Sequence, residues 1–589
     1  MAHSQIMNLY ILVPALLLAN TNAATTPNIV IFLADDTGIG DIGCFGNTTL
    51  RTPNIDNIAA RGLKMTQHLT SEATCTPSRA SLLTSRYPIR SGLASPTGMP
   101  IITNVASPAG LPPNETTFAN LLQDKGYVNA FIGKWHLGLN CEKNGDHCHH
   151  PNRFGFDLFY GMVMTNARLF DPGWDYEVVF RVRPNRVQQV AIVYVVGLLA
   201  GAVLKRLGAI GSRGFRLYAF LVTLLPIYTF LLLINWPWLN GVWHRNGDVV
   251  EQPINFQNMT KRLVMEGTDF LEERSQDKKP FLLFMSWLQT HTFLHTAKEF
   301  EGVAQHSPYG DNVEEMDWGI GEIMKALDRL NLSDNTLIYF TSDNGGHIEE
   351  KDRLGNRAGG HNGIYRGSKF QGSMDGGIRV PTAFMWPGHI PEGTVTDEPT
   401  SQMDILPTLA DVVGYSVPKD RAIDGKNIWP LITGRAKMSP HEVMFHYCGM
   451  TIQAARYRPR GEENAVYKLY YARPNWNPGT EGCDFMCSCL DVTWLDRPQL
   501  FNVAIDPSEK SPLDINAKKH VEIIKHINKA KTEHEKNRNE PKPQMEFFKA
   551  AFRPWLQPLC SGDHFQLSCS DPKYGANTSW PEVVWPPKS

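Results

Sequence analysis

Four short runs of apolar, β-rich residues constrain this chain more than any other feature. Asn28–Ala34 (NIVIFLA), Ala130–Gly133, Phe281–Ser286 (FLLFMS) and Thr336–Ser342 (TLIYFTS) lack the alternation of a strand with one wet face. Strands buried on both faces of a largely parallel sheet have this pattern. Helical patterns lie between them: Ile55–Leu63, opened by Thr52-Pro53, and Val313–Leu330, apolar at helical spacing. The expected fold class is therefore α/β, a large mixed, mostly parallel sheet sandwiched by helices. Each run is followed within five residues by polar groups: Asp35-Asp36, Lys134 and His136, His291, and Asp343-Asn344. Ligands in open α/β sheets bind beyond the carboxyl ends of the strands, so four strands aim chemistry at one edge.

The rest of the chain speaks to its surroundings. Leu9–Leu18 is an apolar run of signal-peptide length, followed by small residues at Ala19, Ala23 and Ala24, which reads as a cleavable secretory signal over residues 1–24. Five Asn-x-Ser/Thr sequons, at Asn47, Asn114, Asn258, Asn331 and Asn577, agree with a lumenal chain. Two further apolar runs, Val187–Leu204 and Leu217–Trp238, flank the basic stretch Lys205–Arg216. Each is long enough to cross ~30 Å of hydrocarbon as a helix, with Gly197 and Gly201 permitting close approach, so a transmembrane helical hairpin over 185–238 is expected. A signal plus two spans puts both flanking segments, 25–184 and 239–445, in the lumen as one catalytic body. With 57 Lys+Arg against 59 Asp+Glu, the net charge of −2 offers no footprint for nucleic acid.

After about His446 the sequence is Pro- and Cys-rich, with a polar helix near Val521–Asn537, and reads as a smaller disulfide-stapled C-terminal domain, 446–589. Spacing favours pairing Cys141 with Cys148 and Cys560 with Cys569. Cys75-Thr76-Pro77-Ser78-Arg79 opens a helix in which Thr76 can cap and Pro77 suits the first turn, leaving Cys75 at its positive end beside Arg79. Asp35, Asp36, Asp343 and Asn344 are hard oxygen ligands that suit calcium or magnesium. A thiolate does not belong beside such a metal, a mismatch resolved if residue 75 is not a cysteine in the mature protein.

C-T-P-S-R-x-x-x-L-T with a following Arg resembles the sulfatase signature, whose cysteine is oxidised to formylglycine in the endoplasmic reticulum. N-I-V-I-F-L-A-D-D at Asn28–Asp36, G-K-W-H-L-G at Gly133–Gly138, Y-F-T-S-D-N-G at Tyr339–Gly345 and G-G-I-R-V-P at Gly376–Pro381 extend the resemblance over nearly the whole chain. The mid-chain hairpin narrows it to the steroid (steryl) sulfatase branch, the membrane-associated arylsulfatases. The resemblance implies an alkaline-phosphatase-like sulfatase fold and hydrolysis of aryl or steroid sulfate esters. It implies one calcium, with magnesium in its place as the alternative, bound by Asp35, Asp36, residue 75, Asp343 and Asn344. Arg79 would hold the aldehyde hydrate, while Lys134 and Lys369 would neutralise sulfate oxygens. His136 would act as a base, and His291 with Lys369 would protonate the leaving oxygen. The implied partners are a small sulfate ester, the formylglycine-generating enzyme and membrane lipid, with the catalytic body on the lumenal side of the endoplasmic reticulum membrane or a later secretory one. The family pattern also suggests Cys448–Cys489 and Cys483–Cys487.

Several positions depart from that pattern. Ser85 stands where Gly is usual, Gln289 where close relatives tend to have His, and Asp375 where Glu is usual. Relatives tie the ends of the hairpin by a disulfide at positions occupied here by Phe170 and Val242. Two other readings remain open: a phosphate-ester metallohydrolase on the same scaffold, and an inactive membrane protein retaining the fold.

Overall fold

The structure, a computed structural model, describes residues 26–96, 101–170, 184–352, 354–484, 486–538, 540–560, 567–575 and 577–585. The secretory leader expected over residues 1–24 lies outside them. Four strands form the centre: β1 (Asn28–Ala34), β2 (Val128–Lys134), β3 (Phe281–Ser286) and β4 (Thr336–Ser342). They lie in the order β4-β1-β3-β2, all parallel, with Ile29 opposite Leu282 and Leu337. Every residue of β1 is buried, as the unbroken apolar run requires of a strand covered on both faces. Leu158–Met162 adds a fifth parallel strand beside β2. Antiparallel strands Thr382–Met385 and Trp243–Arg245 turn the flanks, completing a mixed sheet of ten strands. One expected helix ends early, at Ala60, because Leu63–Met65 is recruited as a strand beside Thr382–Met385.

A second, four-stranded antiparallel meander (Val443–Cys448, Thr451–Tyr457, Tyr467–Pro474, Val492–Asn502) starts just ahead of His446 and packs the amphipathic helix Lys518–Lys536 through Ile523 and Ile527. A buried ion cluster stands between the two sheets. Asp375 Oδ1 accepts from Lys468 Nζ (2.5 Å) and Arg456 Nη2 (2.6 Å), and its Oδ2 accepts from Arg379 Nε (2.9 Å). Within the segment expected as the C-terminal unit, 446–589, described residues beyond 540 pack against the main sheet's core. Leu556, Cys560 and Tyr574 join the main core, and Tyr574 Oη donates to Glu266 (2.5 Å).

The mid-chain apolar runs fold as α1 (Pro184–Arg206) and α2 (Ser212–Ile234). The glycines act as expected: a Cβ at Gly201 would meet the Tyr218 ring at 2.4 Å, and Tyr218 Oη donates to Gly197 O (3.0 Å). Among the described residues no helix is long and apolar enough to cross a membrane, so the expected spanning hairpin finds no support there. In α1 the apolar stretch starts only after Arg186, Gln188 and Gln189, leaving about 15 residues or ~22 Å against ~30 Å of hydrocarbon. Arg213 and Arg216 lie in the first turns of α2, Leu217–Ile234 beyond them carries no charge, and Pro226 lies inside the continuous helix. Ile192, Val195, Leu199, Leu217, Phe220 and Leu221 are nevertheless exposed on the pair. Phe170 packs on Trp236 (5.2 Å between rings) and Phe256 (5.3 Å).

All four disulfides join the expected partners, Cys141–Cys148, Cys448–Cys489, Cys483–Cys487 and Cys560–Cys569, and Cys44 and Cys75 are free.

Candidate active site

Residue 75 opens a buried helix, Cys75–Thr84, at the carboxyl edge of the sheet. The cap is Thr74 in extended backbone and not Thr76, whose hydroxyl donates instead to His136 O (3.2 Å). Cys75 therefore occupies the first helical position, where free backbone N–H groups favour negative charge. The helix ends on Ser85 at φ +62, a left-handed position that explains why glycine suits it. Ser85 compensates by donating its hydroxyl to Met403 O (2.5 Å).

The strand ends bring the acids to this point. Cys75 Sγ lies 3.7 Å from Asp35 Oδ1, and donor atoms of Asp35, Asp36, Cys75 and His291 all fall within 4.8 Å of one another. From β4, Asp343 Oδ1 accepts from the Asp36 amide (3.1 Å), and Asn344 Nδ2 donates to Asp36 Oδ1 (2.8 Å). Asp36 sits at φ +57, a conformation held by these contacts.

Cations enclose the acids. Arg79 Nε donates to Asp343 (2.9 Å), and its Nη1 donates to Lys134 O (2.9 Å) and Ser286 Oγ (2.7 Å). Lys134 Nζ donates to Asp35, Lys369 Nζ to Asp36 (2.7 Å), and His291 Nε2 lies 3.6 Å from Asp36 Oδ2. Burial, then the Asp343 charge, pushes the Asp35 carboxyl up to about 7 despite Lys134 and Arg79. Burial works against Asp36 too, but Lys369, His291 and Lys134 outweigh it and hold that carboxyl well below its usual range. Burial pushes the Cys75 thiol up to about 12, so as a thiol it is an inert nucleophile at neutral pH.

The two histidines are set differently. His136 Nε2 bonds to Ile102 O (2.9 Å), which assigns the proton to Nε2 and leaves Nδ1 as the acceptor; Nδ1 is buried without a partner. Burial, then the Lys134 charge, keeps this ring neutral. His291 Nδ1 donates to Thr292 O (2.5 Å), and burial and Lys369 keep it neutral as well. Burial disfavours the Lys369 ammonium, yet Asp36, Cys75 and Asp35 outweigh it and raise its pKa above the usual lysine value.

The residues present fit a hard cation. Three buried carboxylates converge, and Asn344 Oδ1 is a buried oxygen with no hydrogen-bond partner. Every sequence-expected site residue is thus brought to one locus. Sequence reasoning missed the support: Ser286 under Arg79, the clasp of Ser78 on Gln402 Oε1 (3.1 Å), and Tyr309, which donates to Asp41 (2.7 Å) and accepts from Thr290 (2.9 Å) behind Asp35. These polar residues carry no motif; only β3 ending on Ser286 hinted at one of them.

Comparison with known proteins agrees with this geometry. Residues 27–415 match the Sulfatase family, and residues 439–570 match the C-terminal region of aryl-sulfatase. The chain is 41% identical to Homo sapiens steryl-sulfatase, covering 94% of this chain and 96% of that protein. It is equally 41% identical to Homo sapiens arylsulfatase D, with 94% and 93% covered. Among solved structures, the PsFucS1 sulfatase from Pseudoalteromonas sp. superposes with a TM-score of 0.66 at 26% identity, covering 88% of this chain and 92% of that one. A convergent carboxylate site around a buried C-T-P-S-R cysteine, with matches along both sheets, places this chain in the sulfatase family of sulfuric ester hydrolases.

Proposed function

We propose that the chain hydrolyses aryl or steroid sulfate esters, using formylglycine made from Cys75 and one bound calcium, with magnesium as the alternative. The observation that carries this reading is Cys75 itself, an inert buried thiol at a helix N-terminus, in contact with a carboxylate cluster built for a hard cation. Asp35, Asp36, Asp343, Asn344 and residue 75 would hold the ion. When in place, the ion would polarise a sulfate oxygen and the oxidised residue 75 would supply the attacking oxygen.

The chain's own groups do the remainder. Lys134 and Lys369 present ammonium groups to the sulfate oxygens, charge that is worth most in a water-poor site. His136 accepts a proton at Nδ1, the one ring position left open. Lys369 stays cationic and donates toward the leaving oxygen, with His291 Nε2 as the adjacent relay. Arg79 fixes Asp343 and the end of β2, and so orients the metal ligands.

The aryl and steroid preference rests on similarity to steryl-sulfatase and arylsulfatase D, and on the exposed apolar faces of α1 and α2. Those faces support contact with membrane lipid, and four disulfides support a lumenal setting such as the endoplasmic reticulum. The deciding experiment assays aryl sulfate beside aryl phosphate, with steroid and sugar sulfates as competitors. Turnover of the aryl sulfate with steroid sulfate as the stronger competitor is expected. Preference for phosphate, or an unmodified thiol in the Cys75 peptide of active enzyme, would overturn the reading.

A further inference from the structure

We propose that the C-terminal sheet acts in the reaction by fixing Lys369, through two disulfides that grip the residues following it, so that Phe370 and Gln371 are positioning residues. The inference rests on the sulfatase reading and gives a catalytic task to a unit that contributes none of the ion ligands.

Lys369 lies on a turn with little structure of its own. Next to it, Phe370 adopts φ +71, a left-handed conformation that is strained for a non-glycine residue and persists only where the surroundings dictate it. Three contacts dictate it here. The Phe370 amide donates to Ala73 O (2.8 Å), two residues before Cys75. Its carbonyl oxygen lies 3.4 Å from Cys448 Sγ and 3.8 Å from Cys489 Sγ. Disulfide sulfurs carry no proton, so these are packing contacts, a hard stop behind the carbonyl. The Phe370 ring meets the edge of His347 (5.3 Å).

The second disulfide holds the next residue. Gln371 Nε2 donates to Cys487 Sγ (3.2 Å), and its Oε1 accepts from Trp476 Nε1 (3.0 Å). Glu349, against which Ser368 and Gln371 are hydrogen-bonded, also accepts from the Cys483 amide (3.4 Å). At Gly372 the strand ending in Cys448 leaves no room, since a Cβ would fall 1.9 Å from Tyr447 O. Finally Gly449, beside Cys448, donates to Glu72 Oε1 (3.0 Å) just ahead of Cys75. The turn is therefore clamped between the nucleophile helix and the second sheet.

Displacement of a reacting group by about 1 Å costs on the order of 10²-fold in rate. If the clamp serves the proton donor, the loss must grow as the leaving group becomes poorer. The test compares wild type with a Cys448→Ser/Cys489→Ser double variant on 4-nitrophenyl sulfate, a good leaving group, and phenyl sulfate, a poor one. A Cys560→Ser/Cys569→Ser variant, remote from Lys369, is the control for disulfide loss. We expect kcat to fall roughly tenfold on the nitrophenyl ester and roughly 10²-fold on the phenyl ester, with KM nearly unchanged. The control should lose equally on both esters. If the double variant does not fold, Trp476→Phe, which removes the bond to Gln371 and keeps an aromatic ring at this position, should show the same selective loss at about threefold. Equal losses on the two esters would overturn the proposal. An inactive wild type would instead overturn the sulfatase reading beneath it.

Discussion

Replacing Asp375 by Asn tests the joint between the two sheets. The carboxylate is fully buried and meets Lys468 at 2.5 Å, Arg456 at 2.6 Å and Arg379 at 2.8 Å; the second carboxylate in the cluster, Glu509, reaches Lys468 at 3.0 Å. Asn keeps the shape and one acceptor oxygen but removes the charge, leaving three buried cations facing one acid. Breaking a buried ion pair from one side costs about 3–5 kcal/mol. Hydrogen exchange of amides in Thr451–Tyr457 and Tyr467–Pro474 reads that loss directly, as exchange faster by roughly two to three and a half orders of magnitude. The pH dependence follows from the same cluster. Burial alone would raise the Asp375 carboxyl, but Arg456, Lys468 and Arg379 outweigh it and hold it well below its usual range. A depressed pKa stabilises the fold above the unfolded value of about 3.9 and is lost as pH falls through the folded one. The gap between wild type and variant should therefore be flat from about pH 5 to 8 and close only in strong acid. Exchange accelerated less than tenfold, or a gap that closes near neutrality, would refute the reasoning.

Further outcomes follow from the site. His136→Ala should lower kcat by about 10²–10⁴-fold with little change in KM, as loss of a positioned base does, and a KM effect alone would argue for a binding role. Ser85→Ala should cost about 1–2 kcal/mol, because it loses the Met403 bond and keeps the left-handed backbone, whereas Ser85→Gly should cost less; thermal melts in the reverse order would refute the account. Chelation should abolish aryl sulfate turnover, and calcium should restore it in wild type but not in Asp36→Ala, with calcium titration calorimetry as the independent readout.

The centre of the fold was legible because β1, β3 and β4 are buried on both faces, so their sequences carry no competing signal. The acids of the site were legible for the same reason, since Asp35-Asp36 and Asp343-Asn344 stand immediately beyond β1 and β4, whereas Cys75 and Lys369 were legible only from their motifs. The periphery was harder. Leu63 continues an apolar helical pattern, yet pairing with Phe384 and Thr394 places it in a strand, a tertiary effect that local propensity cannot see. The apolar mid-chain runs predicted membrane spans; in α1 Gln188 and Gln189 cut the uninterrupted apolar stretch to about 15 residues, whereas α2 keeps Leu217–Ile234 without a charge. The clamp on Lys369 was invisible because it depends on Cys448, Cys487 and Trp476, distant in sequence and brought near only by the second sheet.

The strand order also dictates when this protein can assemble. The first of the described strands, β1, lies in the middle of the sheet, and its two neighbours, β3 and β4, begin at Phe281 and Thr336. The partners of the nucleophile helix arrive equally late: Ser286 and Asp343 for Arg79, and Gln402 for Ser78. At roughly 5–20 residues per second, the 260 or so residues between Cys75 and β4 take about 13–50 s to synthesise. Through that interval Cys75 has no sheet to sit against, whereas in the finished protein it is 1% exposed. Under the proposed function, the nascent chain is where an oxidising enzyme would find this cysteine accessible, and the topology itself holds that window open until the last central strand arrives and closes it.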